Sequence, residues 1–121
     1  MNTINDDQKK LIEQEAIAVA TVNSDGSPNV IAVSFVKVVS ENEMIITDNL
    51  MNTTLENIKR DSRICLAVWT HEWSEGYKII GEANYHADGK WLKFVKKMKE
   101  NEGFPAKGAI LVKVKNIYKL C

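Results

Sequence analysis

Short β-rich apolar runs alternate with polar turns along most of the chain, and a helical period breaks in at three places. Ile17–Val22 is almost wholly apolar and predicts a first strand. Asn23–Pro28 reads as a turn, because Asp25-Gly26 between two β-rich runs is a hairpin signal. Asn29–Val39 reads as the longest strand. Its odd positions carry Ile31, Val33, Phe35 and Lys37, and its even positions Val30, Ala32, Ser34, Val36 and Val38. Both faces are largely apolar, so this strand is expected to be central or covered on both sides. Ala32 and Ser34 make the even face shallow, with room for a flat ligand or, more simply, for a close neighbour.

Met44–Thr47 is a third strand, ended by Asp48-Asn49. Thr53-Thr54-Leu55-Glu56 has the form of a capping box, with Thr53 as the cap of a short helix. Such a helix head, preceded by Asn52, is either a plain cap on a connecting helix or a seat for an anion. Arg63–Trp69 and Tyr77–His86 are the fourth and fifth strands, and Gly81 inside the latter marks a bulge, a bend or a close backbone approach. Ala109–Tyr118 is the last strand. The other helices are expected over Asn5–Glu15, capped by Asn5 or Asp6, and over Gly89–Asn101, capped by Asp88. In the latter, Trp91, Phe94, Val95 and Met98 repeat at helical spacing, the mark of a core face rather than of a cofactor box. Six strands with short connections predict a mainly β fold: one antiparallel Greek-key barrel with helices packed outside it.

Composition narrows the function. The 121 residues suit a single domain, residues 1–121. Lys and Arg number 16 and so do Asp and Glu, with no block of one sign, so nothing points to nucleic acid or an anionic membrane. No apolar run approaches the ~20 residues of a membrane span, and the polar start MNTINDDQKK has no leader-peptide core. The expected location is the cytoplasm. Cys65, Cys121, His71 and His86 are isolated, with no metal spacing, and no nucleophile elbow, P-loop or dinucleotide fingerprint occurs. Neither a metal site nor catalytic side chains are expected.

Several segments, in order along nearly the whole chain, carry a likeness: VATVNSDGSPNV, FVKVVSENEMIITDN, MNTTLENIKRDSRI, GYKIIGEANYHADG and GAILVKV. Together they resemble the FMN-binding split-barrel family, the pyridoxamine 5'-phosphate-oxidase-like proteins, and within it the short FMN-binding members. The resemblance implies a split barrel and a homodimer with FMN between its subunits. It places the phosphate near Asn52, Thr53 and Thr54. The ring would lie along Ile46, Thr47, Asp48 and Asn49 and beside Val33, Ser34 and Phe35, with backbone groups at its edge. The implied activity is that of a small oxidoreductase of flavin-reductase type or an electron carrier, with NAD(P)H or a redox protein as partner. The alternative is a non-catalytic module for a flavin, a deazaflavin or another flat ligand.

The chain departs from the family pattern in two ways. Many relatives hold a Lys or Arg about where Thr53 stands, whereas this chain has none between Lys37 and Lys59. A charge-assisted hydrogen bond contributes about 1.5–3 kcal/mol, so its loss weakens binding roughly ten- to a hundred-fold. Lys59, Arg60 and Arg63 are the nearest replacements. Where short relatives stack an aromatic on the ring, this chain has Ala32 and Ala106, leaving Phe35, Phe104 or a partner's Trp to serve.

Overall fold

A computed structural model describes residues 3–34 and 36–120. Helix α1 (Asp6–Gln14) leads into strand β1 (Ile17–Val22), followed by β2 (Pro28–Val33), β3 (Val36–Ser40) and β4 (Glu43–Asp48). Helix α2 (Thr53–Arg60) precedes β5 (Arg63–Trp69) and β6 (Gly76–His86). Helix α3 (Gly89–Lys96) and a 3₁₀ turn (Lys99–Asn101) precede β7 (Gly108–Lys119). The seven strands form one antiparallel sheet in the order β2-β1-β5-β6-β7-β4-β3.

That order corrects the expected six strands. The long strand Asn29–Val39 is two, because its two halves have different partners. β2 pairs with β1 up to Ile17 opposite Val33, and β3 pairs with β4 from Val36 opposite Ile46. The outermost strands of the sheet are therefore only two residues apart in sequence. Such a connection requires the sheet to curl on itself, with the corner made by a strand that switches partners. The result is a mainly β split barrel with three helices.

The inner faces of the strands fill the barrel, with Ile17, Val19, Met44, Ile46, Leu66, Val68, Ile79, Ile110 and Val112 almost wholly buried. α1 adds Ile12 and α2 adds Ile58 to this core. A second, smaller cluster lies outside the barrel, where Val95 and Met98 cover Ile45, Ala106 and Ala109. Of the stripe read as a core face, Trp91, Val95 and Met98 serve as one, whereas Phe94 is 37% exposed, and the α-helix stops at Lys96, short of the expected Asn101.

Local chemistry explains the boundaries. α1 carries a complete capping box: the Asn5 side chain accepts from Gln8 N at 2.8 Å, and the Gln8 side chain accepts from Asn5 N at 3.0 Å. The Glu13 carboxylate of the same helix accepts from Val38 N at 2.8 Å, on the side of β3 turned away from β4. Gly26 takes φ +87° in the β1–β2 turn, the left-handed conformation an Asp-Gly hairpin uses. At Gly81 the β6–β7 register shifts, Lys115 being the extra residue on β7. A Cβ there would stand 2.5 Å from Lys113 O, so the close backbone approach excludes a side chain.

Candidate functional site

α2 begins differently from α1. The capping box expected at Thr53 does not form: Thr53 is the first helical residue, Asn52 is the N-cap, and no side chain closes the helix head among the described residues. Thr54 is 2% exposed, and its Oγ1 accepts from Asn29 Nδ2 at 3.2 Å. A polar belt continues from there, tying α2 to the β1–β2 hairpin: Asn57 Nδ2 donates to Thr21 Oγ1 at 3.0 Å and to Asn23 Oδ1 at 2.9 Å. With its own amide and hydroxyl groups satisfied, this belt fixes the helix head against the sheet.

In front of that head lies a cleft of about 550 Å³. Its walls are β2 and Ser34 on one side, and Thr47, the segment from Asn49 to Thr54 and Phe104 on the other. Val33, Ser34, Thr47, Asn49, Asn52, Thr53 and Thr54, all singled out in the sequence, meet here. Phe35 lies outside the described residues. Ile46 and Asp48 are buried and do not line the cleft. Ile46 points into the barrel core. Asp48 is an internal brace: its Oδ1 accepts from Met51 N at 2.8 Å, its Oδ2 from the Tyr85 hydroxyl at 2.7 Å, and its backbone O from Lys107 N at 2.9 Å. These bonds hold the loop that floors the cleft. Burial, followed by the bond to Asp48, raises the Tyr85 hydroxyl above its ordinary pKa of 10.0.

The cleft lining carries no charged side chain. Lys59 lies over the Tyr85 ring at 5.8 Å, Arg60 bonds Val22 O and Asn57 Oδ1, and Arg63 pairs with Asp61 at 2.6 Å, so none of the three reaches in. Of the two buried polar atoms without a partner among the described residues, Asn49 Oδ1 and His86 Nε2, the first belongs to a residue of the cleft lining. Asn49 donates through Nδ2 to Asn101 Oδ1 at 2.8 Å, but its buried Oδ1 has no hydrogen-bond partner among the described residues. A buried acceptor of this kind is ordinarily satisfied by a donor from the chain, a water or a ligand. Leu50, 82% exposed, and Phe104, 52% exposed, offer apolar surface at the rim.

Sequence reasoning missed Asn29 and Lys107. Asn29 stands as the polar residue in the otherwise apolar run PNVIAV, a signal for a side chain with a partner. Lys107 bonds Met51 O from the loop before β7, a contact between distant segments that nothing local announces.

Residues 4–121 match the family model described as pyridoxamine 5'-phosphate oxidase. The chain belongs to this family. Within the pyridoxamine 5'-phosphate oxidase family, a relative at 31% identity is an uncharacterized protein of Methanocaldococcus jannaschii, matched over 97% of this chain and 80% of that protein. The fold is similar to that of Group A Streptococcus HupZ, at 26% identity and a TM-score of 0.90, over 97% of this chain and 94% of that one. It is also similar to that of an FMN-binding protein from Syntrophomonas wolfei, at 19% identity and a TM-score of 0.81, over 93% and 83% of the chains. The same fold carries, at 18% and 13% identity, an F420 reductase and the heme storage protein HutZ from Vibrio cholerae, with TM-scores of 0.72 and 0.71. No helix among the described residues is long and apolar enough to cross a membrane.

Proposed function

We propose that this chain is a flavoprotein that binds FMN in the cleft at the head of α2, acting as a small oxidoreductase or electron carrier. The observation that carries this reading is the convergence, in one uncharged cleft, of an open helix head, a shallow strand face and an unpartnered buried acceptor on Asn49. The residues present fit the cofactor on those grounds. The N–H groups at the head of α2 and the Thr53 hydroxyl would hold the phosphate. Asn49 would stand beside the ring edge, and Ala32, Val33 and Ser34 would lie along the ring. Bound FMN supplies hydride and electron transfer at its own ring. The chain binds it, orients it and limits its contact with water, which accords with a cleft that has no titratable lining.

A second copy of the chain is part of the proposal. Ala18, Ala20, Ala32, Cys65 and Ala67 lie directly across from one another on the outer sheet face of β2, β1 and β5. Val30 and Ile80 flank them, 66% and 38% exposed. This flat apolar surface runs up to the cleft through Ala32, and covering it with a partner subunit would also cover the ligand.

The same absence of titratable groups favours a second reading, a non-catalytic carrier of a flavin, a deazaflavin or another flat ligand. Titration of FMN with the protein, followed by flavin fluorescence and visible absorption, tests the first reading. Saturation at one FMN per chain supports it, and NAD(P)H oxidation with an added acceptor separates enzyme from carrier. Failure of FMN, FAD and riboflavin to bind removes it and leaves a deazaflavin or a heme to be tried.

A further inference from the structure

Lys59, Arg60 and Arg63 are turned away from the cleft, yet one ammonium does stand beside the head of α2. Lys107, in the loop before β7, bonds Met51 O through its Nζ, across 56 positions of sequence. Met51 and the N-cap Asn52 that follows it both line the cleft. The place of Lys107 is fixed from several sides. Its own N–H donates to Asp48 O at 2.9 Å, and the next residue, Gly108, pairs with Asp48 across β4 and β7. A side chain on Gly108 would collide with the Tyr85 hydroxyl, which itself donates to Asp48. Asp48 Oδ1 in turn accepts from Met51 N at 2.8 Å, so both ends of the lysine rest on one braced loop.

We propose that Lys107 is the residue that recognises the phosphate of the ligand, and that it makes the site select FMN over riboflavin. The proposal rests on the flavin reading above and deepens it. An ammonium has three donors, and Met51 O takes one of them. Lys107 is exposed and forms no ion pair with a carboxylate among the described residues, so two donors and the charge are open to a ligand. The first bond within α2 runs from Glu56 N to Asn52 O at 3.1 Å, which leaves the N–H groups of Thr53, Thr54 and Leu55 without a helical partner. Lysine and helix head thus bring a positive charge and a set of N–H groups to one end of a cleft whose lining is uncharged. A phosphate monoester, with a charge of about −1.5 to −2 near pH 7, uses both, whereas the neutral end of riboflavin leaves the charge unused. The cation absent at position 53 is then supplied by a segment distant in sequence, on a compact ammonium that approaches the phosphate as a point charge.

FMN and riboflavin differ only in that phosphate, so their affinities for the wild type and for Lys107→Gln, measured by flavin fluorescence, isolate the contact. The glutamine keeps a donor for Met51 O and loses the charge. One charge-assisted bond corresponds to roughly ten- to a hundred-fold in affinity, and solvent screening puts an exposed lysine at the lower end. The wild type should therefore bind FMN about tenfold tighter than riboflavin, or more. In Lys107→Gln, FMN affinity should fall about tenfold while riboflavin affinity stays within about twofold, which also shows that the variant is folded. Added salt should weaken FMN binding more steeply in the wild type than in the variant. A lysine that only laces the loop together gives a variant that changes both flavins alike or neither, and that result overturns the proposal while the flavin reading stands. Equal salt dependence, or FMN bound no tighter than riboflavin by the wild type, overturns it in the same way. Binding of neither flavin to the wild type overturns both.

Discussion

Asp48 is the residue on which the floor of the cleft depends. It is 0% exposed, and each of its carboxylate oxygens accepts one hydrogen bond. Tyr85→Phe removes one donor and leaves Oδ2 short of a partner, at a cost of about 1–3 kcal/mol, read as a lower urea midpoint. The same pair sets a pH limit. The folded state raises the pKa of the Tyr85 hydroxyl, so its contribution is fully present below the unfolded value near 10 and is lost as pH rises through the higher folded value. Wild-type stability should therefore decline above about pH 10 more steeply than that of Tyr85→Phe, in urea melts at matched pH. At the helix head, Thr53 is exposed and Thr54 is engaged with Asn29, so Thr53→Glu is the informative change. It should lower flavin affinity at least tenfold with the urea midpoint little changed, and unaltered affinity would remove this head from the site. The sequence marked Asp48 only as a strand breaker and a candidate neighbour of the ring. Its burial was illegible because its hydroxyl partner stands 37 positions away.

The elements themselves were largely readable, because hydrophobic period, turn residues and Asn5 agree with one another in α1, β1 and the first hairpin. Misreadings arose where local signals conflicted with tertiary partners. Thr53-Thr54-Leu55-Glu56 has capping-box chemistry, yet the packing of Thr54 against Asn29 starts the helix one residue earlier and leaves its head open. That openness makes the segment usable as an anion seat, in contrast to the closed head of α1. The run Asn29–Val39 is largely apolar on both faces, and neither Ser34 nor Lys37 announces that β2 and β3 have different neighbours. Gly81 is the opposite case: a lone glycine within a strand pattern correctly marked an irregularity, and β6 and β7 close tightly there. Gly81→Ala forces the Lys113 carbonyl aside and should destabilise by about 1–3 kcal/mol in urea melts, with no loss of flavin affinity in the folded protein.

At the scale of the whole molecule, one barrel buries one face of each strand, and the outer face of β2, β1 and β5 remains apolar and flat. The fold class and family were legible because the matching segments are spread along the chain, whereas the order of seven strands depends on long-range pairing that no local pattern encodes. If a second subunit covers the flat face, Ala18→Glu should give a monomer by light scattering and a large loss of flavin affinity; a wild-type monomer at micromolar concentration would instead sink the shared-site proposal. The bond from Glu13 to Val38 N reaches further than its own stability. By occupying a donor on the outward side of β3, the carboxylate keeps that side from acting as a template for another chain. A strand from a neighbouring molecule that paired there would join unlike edges, a contact that does not close on itself. One acidic side chain on the first helix thus helps to keep concentrated protein dispersed.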